Sequence, residues 1–141
     1  MKMPVASSEL GLLGPITIRT AEAWRVSVPT FEPFRISSGE VSTKDSVLVL
    51  IANGAHFGWG ESSAMSGNFY SADTPDSCQH ELVEVVLPQL IGRTFATMIE
   101  LEAALDQLTT SRFVRVAVET SAWEMLARSR HLSLRPLFGL D

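Results

Sequence analysis

The apolar residues of this chain change their spacing once. Up to about Glu61 they either alternate with polar residues or gather in a short β-branched run, and from Thr74 onward they recur at steps of three and four. A strand sends successive side chains to opposite faces, whereas a helix gathers positions i, i+3 and i+4 on one. The chain is therefore expected to be α+β, a sheet followed by a run of helices packed on it. From Ile16 to Val28 the alternation puts Trp24, Val26 and Val28 on one side and Arg25 and Ser27 on the other, the pattern of a half-buried strand that Pro29 and Pro33 should end. Ser46 to Ala52 is a β-branched and aliphatic run, Asn53-Gly54 is a type I′ turn signal, and His56 to Glu61 is again extended. Together these segments predict a three-stranded antiparallel meander.

The second half predicts three helices. Thr74 caps the first, with Pro75 at its first position and Leu82, Val83, Val86, Leu87 and Leu90 at helical spacing; Pro88 should kink or end it, and Gly92 closes it. Thr97 with Glu100 forms a capping box before Met98, Leu101, Leu105 and Leu108. Ser111 caps a third helix running to about Arg130, apolar on most sides at Phe113, Val114, Val116, Ala117 and Val118, as expected of the buried member of a three-helix bundle.

Composition removes several function classes. The 141 residues suit one domain with its own core. A net charge of −5, with 11 scattered basic residues against 16 acidic ones, argues against nucleic acid as a partner. No apolar run reaches the roughly 18 residues of a membrane helix, and Met1 to Leu13 lacks the continuous apolar core of a signal peptide. The lone Cys78 fits a reducing compartment and a cytoplasmic location. Charged residues make up 19 % of the chain, below the roughly 25 % of an average domain, as in a protein with one face covered by another body.

Titratable residues that could converge on a reaction are few. His56 and Glu61 lie five apart in one expected strand, hence on opposite faces, and read as a surface histidine and a structural glutamate. His80 and Glu84, at i and i+4, could ligate a metal together but lack a third ligand, so they read as a solvated helix face. Cys78 reads as packed rather than reactive. No phosphate loop, dinucleotide glycine pattern or nucleophile elbow occurs. Two segments are unusual for pure scaffolding: Pro33 to Gly39 after the first strand, and Ala64 to Ser71 after the third. Both are expected loops rich in aromatic, methionine and small polar residues, a mixture that either surrounds an apolar ligand or ties two loops to a sheet edge.

Gly58-Trp59-Gly60-Glu61 resembles the Gly-x-Gly-Glu signature of the N-terminal capping domain in muconate cycloisomerase, mandelate racemase and their relatives. The run Ala117 to Glu124, containing Glu119 and Trp123, together with Pro136-Leu137-Phe138-Gly139, resembles a helix and a closing turn of the same enolase superfamily. Here Ser121 stands where the family prefers alanine and Glu124 where it prefers aspartate. Phe34, Gly39, Ala64, Met65, Gly67 and Tyr70 look most like o-succinylbenzoate synthases and N-acylamino-acid racemases, and the resemblance runs from about Thr17 to Gly139.

The resemblance implies that residues 15–135 are a cap over the mouth of a (β/α)8 barrel, with 1–14 a poorly ordered leader and 136–141 the start of a linker to a barrel not contained here. It implies that Phe34, Met65 and Tyr70 wall a pocket for a small carboxylate. Ser38, where relatives often carry a second aromatic, would widen or wet that pocket. Gly58, Gly60, Glu61, Glu119 and Trp123 are carried over as structural motif residues. Catalytic lysines and the acidic ligands of Mg²⁺ or Mn²⁺ would belong to the barrel, leaving neither catalytic nor metal-binding residues in this chain. A cap without its barrel exposes apolar area, so a homo-oligomer is expected. The rival expectations are a stand-alone interaction module that kept the cap fold, and a small-ligand binder using the same loops without chemistry.

Overall fold

A computed structural model of the chain describes residues 7–37, 39–67 and 70–140, so Met1 to Ala6 of the expected leader, Ser38, Asn68, Phe69 and Asp141 lie outside the described residues. Its main sheet has three antiparallel strands in the order β2-β3-β4, where β2 is Thr20–Ile36, β3 Gly39–Ala52 and β4 Phe57–Ser62. A two-stranded ribbon pairs β1 (Ile16–Thr17) with β5 (Thr94–Phe95), and so ties the entry of the sheet to the turn between the helices. A 3₁₀ turn, Ser7–Leu12, precedes it and lies beside the helix α3 (Met98–Leu108).

The first strand runs on through both prolines, contrary to the expectation that Pro29 and Pro33 end it. The reason is its place at the sheet edge, where a residue without an N–H leaves no ladder bond unmade. Between the pairs Pro29↔Thr43 and Phe34↔Val41 the strand advances five residues while its partner advances two, a bulge that Thr30 closes by donating from Oγ1 to the Ser42 carbonyl at 2.9 Å. Pro33 to Ile36 is consequently the far arm of a long hairpin, turning at Ser37, rather than a loop after a finished strand. At the other end of β3, Asn53 and Gly54 do not form the expected type I′ turn. Gly54 has φ +96°, but Asn53 is not in the left-handed region, and its side-chain oxygen instead accepts the N–H groups of Ala55 and His56 at 3.0 and 2.8 Å. His56 therefore sits in a four-residue connection, outside the strand that holds Glu61.

Helix α1 (Pro75–Glu81) opens with Thr74 as its cap, passes into a π turn at Leu82–Val86 and resumes as α2 (Leu87–Leu90). Pro88 lacks the N–H that an α-helix would direct to Glu84, and the wider turn just before it absorbs the loss without ending the helix. Gly92, at φ +83°, closes the segment as expected. In α3 the Thr97 hydroxyl accepts the Glu100 N–H, but the Glu100 carboxylate returns to Ala96 N rather than to Thr97, so the box reaches one residue further back. The long helix α4 (Arg112–Ser129), capped by Ser111, is followed by the short α5 (Leu134–Leu137).

The core lies between the inner face of the sheet, where Val47, Val49 and Ile51 are fully buried, and the helices, which contribute Leu82, Leu90, Leu101, Leu105, Val118 and Met125. Along β2 it is Ala21, Ala23 and Arg25 that turn inward. The Trp24 side faces outward with Leu48, Leu50 and Trp59, and the Trp24 and Trp59 rings lie 5.4 Å apart.

Candidate functional site: the loop end of the sheet

The glycine signature fixes the platform. A Cβ on Gly58 would stand 1.9 Å from the Ser121 carbonyl oxygen, and one on Gly60 1.8 Å from that of Ala117. Strand β4 and helix α4 thus touch backbone to backbone, running antiparallel, which only glycine on the strand and small residues on the helix allow. Ser121 is buried in this seam, and its hydroxyl donates to the Ala117 carbonyl at 2.7 Å while lying 3.4 Å from that of Val49. Glu124, one helical turn further, accepts the Trp59 N–H on the open edge of β4 and pairs with Arg128 at 2.8 Å. The longer glutamate thus does what an edge-capping carboxylate must.

The remaining motif residues hold neighbouring parts together. The Glu61 carboxylate accepts from Ser46 Oγ at 2.7 Å and Ser63 Oγ at 2.6 Å, and these bonds, with Lys44 nearby, hold it below the usual glutamate range. Glu119 pairs with Arg115, which also reaches Asp106 and so ties α3 to α4. Trp123 packs edge-on against Phe138, with ring centroids 5.1 Å apart, and Leu137 beside it is fully buried.

The C-terminal end of β2, the start of β3 and the end of β4 all point the same way, but β4 ends opposite Val47 while the β2-β3 hairpin runs on alone to the pair Ile36↔Gly39. This end of the sheet carries both unusual segments. Phe34 sits on the hairpin arm opposite Val41 and is 55 % exposed, with Arg35 paired to Glu40 across the same arm at 2.7 Å. After β4, Ala64 is fully buried and anchors its segment, Met65 is half-buried, and Tyr70 is exposed. Ser38 lies outside the described residues, between the two strands of the hairpin.

A polar cluster absent from the sequence reading joins these parts. The Asp45 carboxylate accepts from Ser27 Oγ on β2, from Ser66 Oγ at 3.0 Å in the segment after β4, and from Arg25 Nη2 at 3.3 Å. Arg25 reaches on to Asp76 at 2.7 Å in the first turn of α1, and Lys44 donates to the carbonyls of Ser63 and Ala64 at 3.1 and 3.4 Å. The two serine hydroxyls, ahead of Arg25, hold Asp45 below the usual aspartate range, while Asp76 and then Asp45 hold Arg25 firmly protonated. The sequence carries no signal of it, because the alternation puts Arg25 on the polar side of its strand, whereas the structure turns that side inward, where an arginine demands a partner. Nothing in the sequence distinguishes which of the 16 acidic residues supplies it.

Among the described residues no three His, Cys, Asp or Glu side chains gather as a metal site, and no helix is long and apolar enough to cross a membrane. His80 and Glu84 are exposed on α1 and the π turn, and Cys78 is buried 4.0 Å from Ser111 Oγ.

A meander whose last strand carries a helix directly on its backbone, with two projecting segments at one end, is the α+β architecture that heads enolase-superfamily proteins. The chain belongs to that superfamily: residues 18–139 match the N-terminal domain of the mandelate racemase / muconate lactonizing enzyme family. It is 26 % identical over 125 residues to an o-succinylbenzoate synthase of Bacillus subtilis, covering 88 % of this chain and 34 % of the relative. Over 118 residues it is 28 % identical to an N-succinylamino acid racemase of an Amycolatopsis species, covering 84 % and 32 %. Muconate cycloisomerase 1-2 of Acinetobacter lwoffii is 32 % identical over 131 residues, covering 89 % and 33 %. Among solved structures, an enolase-superfamily member from Listeria innocua superposes with a TM-score of 0.81 at 25 % identity, over 88 % of this chain and 34 % of that one. The chain spans about a third of the length of the curated relatives it matches.

Proposed function

We propose that this chain is the specificity-determining and site-closing cap of a divalent-metal-dependent enolase-superfamily enzyme that removes a proton α to a carboxylate, as a synthase, racemase or cycloisomerase. What supports the reading is that the Phe34 hairpin arm and the segment that starts at Ala64 both lie beyond the same end of β4, in a chain whose family is shown. Segments so placed can close over a substrate and exclude water from enolate chemistry. Phe34, Met65 and Tyr70, with Ser38, are proposed as pocket walls. The names of the relatives, an o-succinylbenzoate synthase and an N-succinylamino acid racemase, support a small carboxylate as substrate.

The described residues do not gather a set of ligands for Mg²⁺ or Mn²⁺. In this reading the metal and the proton-transferring residues belong to a barrel domain covalently joined to the cap. The enzyme is proposed to work in the cytoplasm. The cap alone is expected to self-associate, since Trp24, Phe57 and Trp59 remain about two-fifths exposed. Sedimentation at micromolar concentration should show dimers or larger species, and a clean monomer counts against this part of the reading.

The decisive experiment is the mass of the native polypeptide, set against the 15.4 kDa of this chain, combined with an assay for α-proton exchange on N-acylamino acids. A product near 40 kDa, the size of a cap plus a barrel of roughly 250 residues, whose activity disappears with a chelator and returns with Mg²⁺ or Mn²⁺, supports the cap. A native product of about 15 kDa without exchange activity sinks it in favour of a stand-alone module.

A further inference from the structure

We propose that Asp45 is the positioning residue of this site: its carboxylate sets Met65 to Gly67 against β2 and, through Arg25, against the start of α1. The inference rests on the reading of this segment as a pocket wall and adds how its position is held. Asp45 stands on β3, four residues from Val41, the partner of Phe34, a separation of about 13 Å along the strand. Its hydrogen bonds reach two separate pieces of chain. Ser27 and Arg25 belong to β2 on the near side of the bulge, and Ser66 adjoins Met65. Through Arg25 the same cluster reaches Asp76 in the first turn of α1.

The geometry separates two kinds of attachment. The start of the segment is held independently of Asp45, by the buried Ala64 and by the Lys44 bonds to the carbonyls of Ser63 and Ala64. From Ser66 onward, Ser66 Oγ to Asp45 is the side-chain bond that ties the segment to the sheet among the described residues, ahead of the local Ser71 turn onto the Asp73 carbonyl. Arg25 does not depend on Asp45 alone, because Asp76 pairs with it at the shorter distance of 2.7 Å. Removing the Asp45 carboxylate should therefore release Met65 to Gly67 while leaving the platform of β4 on α4 in place. A carboxylate that accepts from two hydroxyls and a guanidinium holds its geometry more firmly than a neutral acceptor would.

The test is backbone ¹⁵N relaxation on the 141-residue chain with Asp45→Ala, Asp45→Asn and Ser66→Ala. Wild-type order parameters for 65–67 are expected near those of rigid backbone, about 0.8, and to fall below about 0.6 in Ser66→Ala and Asp45→Ala. Residues 47–52 of β3 and all of α4 should not change, and Asp45→Asn should fall between. If Asp45→Ala loosens the whole fold, Ser66→Ala decides the matter, since it deletes one part-buried bond and leaves Arg25 paired. The proposal is overturned if 65–67 are already mobile in the wild type, or if Ser66→Ala leaves them rigid. In the protein that joins this cap to its barrel, Ser66→Ala is expected to raise KM about tenfold with kcat within twofold, and an equal loss in kcat overturns the positioning role. If the wild type turns over no carboxylate substrate, the cap reading fails on its own, and the relaxation result still stands or falls separately.

Discussion

Glu102 shows how one side chain can work against the fold that contains it. Partial burial, then the nearby Glu119 carboxylate, raise its pKa above the ordinary glutamate value, with Arg115 opposing them weakly. An acid whose pKa is raised on folding binds its proton more tightly in the native state, so it subtracts stability once the pH exceeds the unfolded value. Glu102→Gln is expected to raise Tm by about 1–2 °C at pH 7 and to leave it unchanged at pH 3, as read by thermal unfolding at both pH values. Ser121 makes the opposite point. A buried hydroxyl costs little here because it donates to the Ala117 carbonyl inside its own helix, with Val49 O also close.

At the scale of elements, most of the chain was legible because periodicity and caps are local: the Thr74, Thr97 and Ser111 caps begin their helices as expected. The misreadings share one cause, which is that a residue's effect depended on what lay beside it in space. Pro29 and Pro33 are harmless only on an edge, Pro88 only after a π turn, and Asn53 turns the chain through its side chain instead of its backbone. The Asp45 cluster was invisible because its members come from β2, β3, the segment after β4 and α1. The family resemblance singled out the two projecting segments as candidate pocket walls, but it said nothing about what ties them. Two substitutions probe the elements themselves. Gly60→Ala should destabilise by about 3 kcal/mol, the upper part of the range for overfilling a packed core, and lower Tm by about 10 °C, because the clash is with helix backbone. At the end of α4, His131 occupies the left-handed position of a Schellman turn, φ +57°, with Leu132 N–H bonded to the Ala127 carbonyl at 2.9 Å. His131→Gly is expected to stabilise by up to about 1 kcal/mol, measured by denaturant unfolding.

For the molecule as a whole, Asp45 and Glu61 set the acid limit. Both are held below their ordinary values by hydroxyl donors, so each adds stability above the unfolded carboxylate pKa and loses it as the pH falls through its lowered folded value. Stability should therefore stay level from neutral pH to about 4 and then decline, with an Asp45→Asn/Glu61→Gln double variant less stable at pH 7 and converging on the wild type in strong acid. Both borders of the main sheet are closed to further strands. Pro29 and Pro33 interrupt one, and on the other the Glu124 carboxylate occupies the Trp59 N–H. A three-stranded sheet with open borders would recruit strands from its neighbours and grow into fibres. Blocked as it is, the sheet leaves association to its faces, and a preparation of this chain should concentrate and store as discrete particles, even with two tryptophans on its surface.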